Sequence, residues 1–212
     1  MSNIEYSKNV LMHSSIAAGG SVHIGDNMTS VTVAKPVFSE INLEAYDDDS
    51  YISPRFTGKL VGEIIGMRTG RMAVFTGFYG FDMVGFTKHL AFKIAEEFAN
   101  AGEVISAKAC FLNSDFSSIA VAIKENPEDC IFVLNNLTPK DVGHDLEKLQ
   151  KVAEHHLHKI IILASTNLPL SAWKNPHADY WFAIDQDGLY HTGVKLASDI
   201  YERNKLTLYL RK

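Results

Sequence analysis

Gly80 and Gly85 are separated by four residues, and Phe86 and Thr87 follow the second glycine directly. Two glycines at this spacing, then a cation and a hydroxyl, make a loop whose backbone N–H groups can wrap a phosphate tail. Glycine permits the close approach, and the N-terminus of the following helix favours negative charge. An apolar run, 72–76, leads into the loop from Arg71, and an amphipathic segment from Lys88 to about Ala101 follows it. The layout is strand, glycine loop, helix. Thr87 supplies the hydroxyl, but Phe86 stands where the cation belongs and offers no charge to a phosphate.

The elements that must position this loop can be read along the chain. Ser21 to Val33 alternates around Asp26-Asn27 as a β-hairpin, which gives an N-terminal hairpin extension and linker over 1–50 and a main domain over 51–212. Asp47-Asp48-Asp49 reads as a solvated acidic linker, because no ligand set follows it. Ser53-Pro54 predicts a capped helix start, with Phe56, Leu60, Val61, Ile64 and Ile65 at helical spacing up to Gly66. Val104 to Leu112 reads as a strand and Ser117 to Lys124 as a short helix before Pro127. The uninterrupted run Cys130 to Leu134 is that of a parallel strand covered on both faces. Asp141 to His158 predicts a long polar helix with Val142, Leu146, Leu149 and Val152 inward, and Lys159 to Ala164 a further buried strand. Tyr180 to Thr192 reads as strand, turn and strand, and Leu206 to Leu210 as a closing strand. Strands alternating with helices predict an α/β three-layer sandwich around a mostly parallel central sheet, with some late strands antiparallel.

Composition bounds the function. The chain has 212 residues, 46% hydrophobic and 21% charged, enough for one sizeable core. A net charge of -5 gives no chain-wide field for nucleic acid or anionic lipid. The two cysteines, Cys110 and Cys130, edge apolar runs and read as buried thiols. Met1 to Glu5 opens no basic-then-apolar signal, and no apolar run reaches the roughly 20 residues needed to span a bilayer. A cytoplasmic protein without membrane partners is the expectation.

With the glycine loop at 80–87 and the buried strands 130–134 and 159–164 ending in Ser165-Thr166-Asn167, residues 54–212 resemble the P-loop NTPase fold, most closely its RecA-like and STAND branches. The glycine-rich segment Gly19 to Asp26 is similar to hairpins that precede NTPase modules in bacterial conflict-system proteins. The resemblance implies that Gly80, Gly85, Phe86, Thr87 and Lys88 hold the cofactor-binding positions, with Thr87 placed to bind Mg²⁺ beside ATP. It implies an acid at the end of the next buried strand, where this chain has Asn135-Asn136, and a γ-phosphate sensor at Thr166-Asn167, which reads equally well as a loop cap before Pro169. Asparagine keeps the shape of aspartate without its charge, so it holds Mg²⁺ weakly and makes a poor base. Lys88 is a poor substitute for the missing lysine, since neighbouring helical residues diverge by about 100°. Phe78, Tyr79, Phe81, Met83 and Phe86 place bulk where a cradle has small residues, and Asp82 would repel a triphosphate.

The remaining candidates have plainer explanations. His155, His156 and His158 sit near a helix end, where His155 and His158 could share a face, but favourable contact with the helix dipole accounts for them and no metal site is expected. Asp185-Gln186-Asp187-Gly188 reads as a hairpin turn. Arg203, Lys205, Arg211 and Lys212 give a basic C-terminus, either a solvated edge or fingers reaching a neighbouring subunit. No nucleophile–base pair can be picked out by spacing. The expectation is a degenerate, non-catalytic P-loop-fold module, a pseudo-NTPase without a bound cofactor, that binds or assembles as a homo-oligomer or beside an active ATPase or effector protein. The alternatives are an active ATPase with an atypical loop that uses Thr87, Lys88 and Thr166, and a RecA-like nucleic-acid-binding subunit.

Overall fold

Continuous apolar runs in this chain become strands covered on both sides. The computed structural model describes residues 21–22, 31–32, 37–47, 51, 53–54, 56–67, 71–78, 80–110, 115–138, 142–166, 180–185, 188–191 and 194–197. The chain divides into two units, Met1–Pro36 and Val37–Lys212. In the first, β1 (Ser21–Val22) and β2 (Val31–Thr32) pair antiparallel with Val22 opposite Val31, the hairpin expected there.

The second unit is built on a sheet that includes β3 (Phe38–Glu40), β4 (Arg71–Gly77), β5 (Ser106–Cys110), β6 (Cys130–Leu137) and β7 (Ile160–Thr166). It continues with β8 (Tyr180–Asp185), β9 (Gly188–His191) and β10 (Val194–Ala197). The order across it is β10-β9-β8-β4-β7-β6-β5-β3. The run β8-β4-β7-β6-β5 is parallel, while β3, β9 and β10 pair antiparallel at the edges. The two units divide at 36/37, and β3 pairs with β5 in the second of them, whereas the sequence expectation put the boundary at 50/51.

Helices α1 (Thr57–Ile65) and α2 (Met83–Asn100) cover one face, and α3 (Phe116–Lys124) and α4 (Val142–Glu154) the other. The strands alternate between the two cores. On β4, Ala73 and Phe75 join the α1/α2 core, whereas Met72 and Val74 join the α3/α4 core; on β6, Ile131 and Val133 oppose Phe132 and Leu134 in the same way. The result is the three-layer α/β sandwich with a mostly parallel sheet. Among the described residues no helix is long and apolar enough to cross a membrane.

Several boundaries differ from the sequence expectation, each for a local reason. Helix α1 begins at Thr57, since the Ser53 hydroxyl reaches Thr57 Oγ1 at 3.0 Å and provides no cap, while Phe56 is drawn into the core. Helix α2 begins at Met83, five residues before Lys88, because Asp82 caps it. Strand β5, described over Ser106–Cys110, begins after the exposed Val104. Helix α4 ends at Glu154, so His155 and His158 do not share a helical face. Lys108 closes the β3 edge: its Nζ donates to Asn126 Oδ1 at 2.7 Å and Glu128 Oε1 at 2.8 Å, with Glu40 at 3.5 Å. Burial pulls the Lys108 amine down, but the Glu128 hydrogen bond and the surrounding negative charge outweigh it and hold the amine above the ordinary lysine value. Cys110 and Cys130 are free thiols; burial pushes Cys130 up to about 11. The proposed closing strand 206–210 and the basic residues from Arg203 onward lie outside the described residues.

Candidate functional site: the carboxyl edge of the parallel strands

Strands β4 and β7 are adjacent, yet the chain leaves them in opposite directions. From β4 it passes to β5, beyond β7 and β6, and from β7 it passes to β8, on the other side of β4. In an open α/β sheet, the crevice at the carboxyl ends of two such strands is where ligands bind. Two of the sequence candidates, Thr87 and Asn135, are joined at this edge through their side chains.

Thr87 is buried in the first turns of α2, and its hydroxyl lies 2.8 Å from Asn135 Oδ1, 3.0 Å from Met83 O and 3.2 Å from Val84 O. Asn135, near the end of β6, also accepts from Ser165 Oγ at 3.1 Å, and Ser165 Oγ in turn accepts from the Asn136 N–H at 3.2 Å. The chain of donors runs from two hydroxyls into one amide oxygen. Asn136 has φ 57, a left-handed conformation that asparagine tolerates better than most residues, and the β6–β7 register shifts between Leu134 and Leu137. The bulge turns Asn135 toward α2. Ser165 was not picked out in the sequence, although it is the first polar residue after the apolar run of β7.

The residues that would hold a triphosphate are differently placed. The N-terminus of α2 is capped by the chain itself: Asp82 Oδ1 accepts from the Gly85 N–H at 3.0 Å. A Cβ at Gly85 would lie 2.3 Å from Asp82 Oδ2 and 3.1 Å from Tyr51 Cε2, so the missing side chain makes room for this carboxylate. Met83 Cε would lie 2.6 Å from a Cβ at Gly77, with Phe81 beside it. Gly80 has φ 90, which turns the chain between strand and helix. Only Phe81 and Asp82, of the four residues between the glycines, remain outside the helix.

Phe86 is 0% exposed and lies in the α1/α2 core. Its ring meets Phe75 edge-on at 5.5 Å, Phe81 at 5.5 Å and Phe56 at 6.0 Å. Lys88 is exposed on the opposite side of the helix from this core. Thr166 donates to Leu137 O at 2.8 Å across the bulge, which makes it a brace between β7 and β6; Asn167 and Tyr79 lie outside the described residues. His155, His156 and His158 follow α4, His156 Nε2 lying 3.2 Å from Lys124 O, and among the described residues no group of ligands could hold a metal ion.

Asn135 is thus the hub of the edge. Replacing it with alanine is expected to lower stability by about 1–2 kcal/mol, since the Ser165 hydroxyl loses its acceptor while Thr87 can still donate to Met83 O. Asn135→Asp keeps an acceptor for both and should cost clearly less. Urea midpoints decide it, and equal losses for the two variants would sink this account.

No protein-family model matches the sequence, and no curated protein matches it. Among solved structures the chain is similar to one described as the structure of C. elegans PCH-2, with a TM-score of 0.47 and 9% identity over 70% of this chain and 47% of that one. The chain therefore spans about half the length of that protein's chain.

Proposed function

We propose that this chain is a non-catalytic P-loop-fold module, a pseudo-NTPase that binds or assembles with other chains and does not hydrolyse a nucleotide. The observation that carries the reading is the Asp82 carboxylate bonded to the Gly85 N–H at 3.0 Å. It puts a fixed negative charge on the helix N-terminus that would otherwise receive a phosphate. The donor set does not fit Mg²⁺-ATP. Phe86 is core, Lys88 faces away, Met83 and Phe81 cover Gly77, and Asn135 offers one neutral oxygen already shared by two hydroxyls. The scaffold of such a site is retained while its charge has been replaced. The natural partners of the module are further copies of itself or an active ATPase or effector protein.

One arrangement favours the second reading, an ATPase with an atypical loop: Thr87, Asn135 and Ser165 converge at the carboxyl edge, where a hydroxyl and an acid would share a metal. A thermal melt separates the two readings. A ligand that binds only the folded state raises stability by about 2.7 kcal/mol at a hundred times its Kd, so even a 10 µM site would respond visibly to millimolar Mg²⁺-ATP. The expected result is no shift and no phosphate release above background. An upward shift of several degrees would replace the first reading with the second.

A further inference from the structure

A groove of about 740 Å³ runs between the end of α3 and the outer face of α4 and shares no residue with the Gly80–Thr87 loop. Its wall is a helical stripe, His144, Lys148 and Lys151, in which residues follow at steps of four and three and so lie on one face of α4, with His155 in the turn directly after the helix. All four are exposed. Lys124 faces them from the last turn of α3, and His156 and His158 close the end. Glu147 is the single carboxylate of the lining, and it is paired with Lys151 on the same helix. Asp129, just outside, lies 3.5 Å from His158. The chain as a whole carries a formal charge of -5, so a groove lined by three lysines against one paired glutamate reverses the sign of its surroundings.

The floor is apolar. Pro127, Val152 and Leu157 line it, and Leu157, at 99% exposure, is the most exposed large hydrophobic residue among those described. Leu157 alone would mean little, but it extends the concave apolar surface of Pro127 and Val152 to a side chain held fully in water.

The geometry points to this groove as the docking site of an acidic peptide segment from a partner protein, one that sets carboxylates against Lys124, Lys148 and Lys151 and an apolar side chain against Leu157 and Val152. Charge complementarity selects the sign of the partner. The apolar floor selects a peptide over a nucleic acid, because a phosphate backbone has nothing to place against Leu157, and Glu147 interrupts the cationic row that a polyphosphate would track. The size falls within the range of pockets that hold compact ligands, which corresponds to a few residues of a bound strand or helix. Most of the affinity should come from the apolar anchor, while the lysines set partner choice and the rate of encounter.

The test uses the full chain and a fluorescein-labelled peptide of alternating glutamate and leucine, followed by anisotropy at low and moderate salt. Its controls are the same peptide with glutamine for glutamate, and a labelled single-stranded oligothymidine. Binding of the acidic peptide at least tenfold tighter than the glutamine peptide is expected, with a loss of tenfold or more in a Lys148→Glu, Lys151→Glu variant. Leu157→Ser should weaken the acidic peptide as well. These side chains are exposed, so circular dichroism should find the variants folded. No binding of the acidic peptide at 100 µM, equal binding of both peptides, or indifference to the charge reversals overturns the proposal. Oligothymidine binding that is lost in the charge-reversed variant, without peptide binding, would reassign the groove to nucleic acid. Because the groove and the loop have no residue in common, failure here leaves the Mg²⁺-ATP result untouched, and the converse also holds.

Discussion

Phe86→Lys is expected to destabilise the protein by about 3–5 kcal/mol, against a total of about 5–15 kcal/mol for ordinary domains, and to leave it without nucleotide binding. By motif spacing alone the substitution restores a missing phosphate ligand. In the folded chain it removes a fully buried ring packed against Phe56, Phe75 and Phe81 and puts an ammonium in its place. Loss of the ring forfeits its burial and leaves a cavity among the aromatic neighbours, and a charge without a partner adds a desolvation cost. Phe86→Leu, which keeps the site apolar, should lose much less. Urea unfolding of the three proteins checks the order. A Phe86→Lys protein as stable as the parent, and stabilised by Mg²⁺-ATP, would mean that the side chain at 86 can turn toward the loop, and the pseudo-NTPase reading would fail with it.

The sequence held the signal for this burial. Phe86, Leu90, Ile94 and Phe98 recur at intervals of four, one continuous apolar stripe down α2, and all four are buried in the same core. The glycine spacing competed with that stripe and drew Phe86 into the loop. The helix start was hidden for the same reason. Asp82 stands three residues before Gly85, the spacing of an N-cap to the amide it satisfies, but a reading that takes 81–84 as loop gives Asp82 no helix to cap.

The parallel strands were easy to read because burial on both faces leaves no polar alternation: Ile131 to Leu134 and Ile160 to Ala164 are apolar throughout. Strand β3 could not be found this way. It has three residues, sits at the sheet edge, and is held by β5 and by Lys108 reaching Glu40, none of which leaves a periodic trace. At the site, Thr87 and Asn135 followed from spacing and strand ends, whereas their partnership with Ser165 depends on the bulge at Asn136, whose positive φ no local pattern announces.

The role of Gly85 separates the two uses of the loop most sharply. A glycine kept for a phosphate and a glycine kept for a carboxylate both forbid a side chain, but only the second couples to Asp82. At an unhindered position inside a helix, Gly→Ala gains about 1 kcal/mol. At 85 the added methyl would sit 2.3 Å from Asp82 Oδ2, so it must push the carboxylate off the Gly85 N–H. Gly85→Ala is therefore expected to lose about 1–2 kcal/mol, the cap together with local strain, in spite of its better propensity. Asp82→Ala alone should lose about 1 kcal/mol. In the double variant the methyl enters the space the carboxylate has left, and only the approach to Tyr51 at 3.1 Å remains to be relaxed. The double loss should then fall below the sum of the single losses by about 1 kcal/mol, within the range of coupling found for residues in contact. Additive losses would show that Gly85 answers to something other than Asp82. A stabilising Gly85→Ala would show that the amide at 85 does not depend on its cap, and the helix N-terminus would again be open to a bound anion.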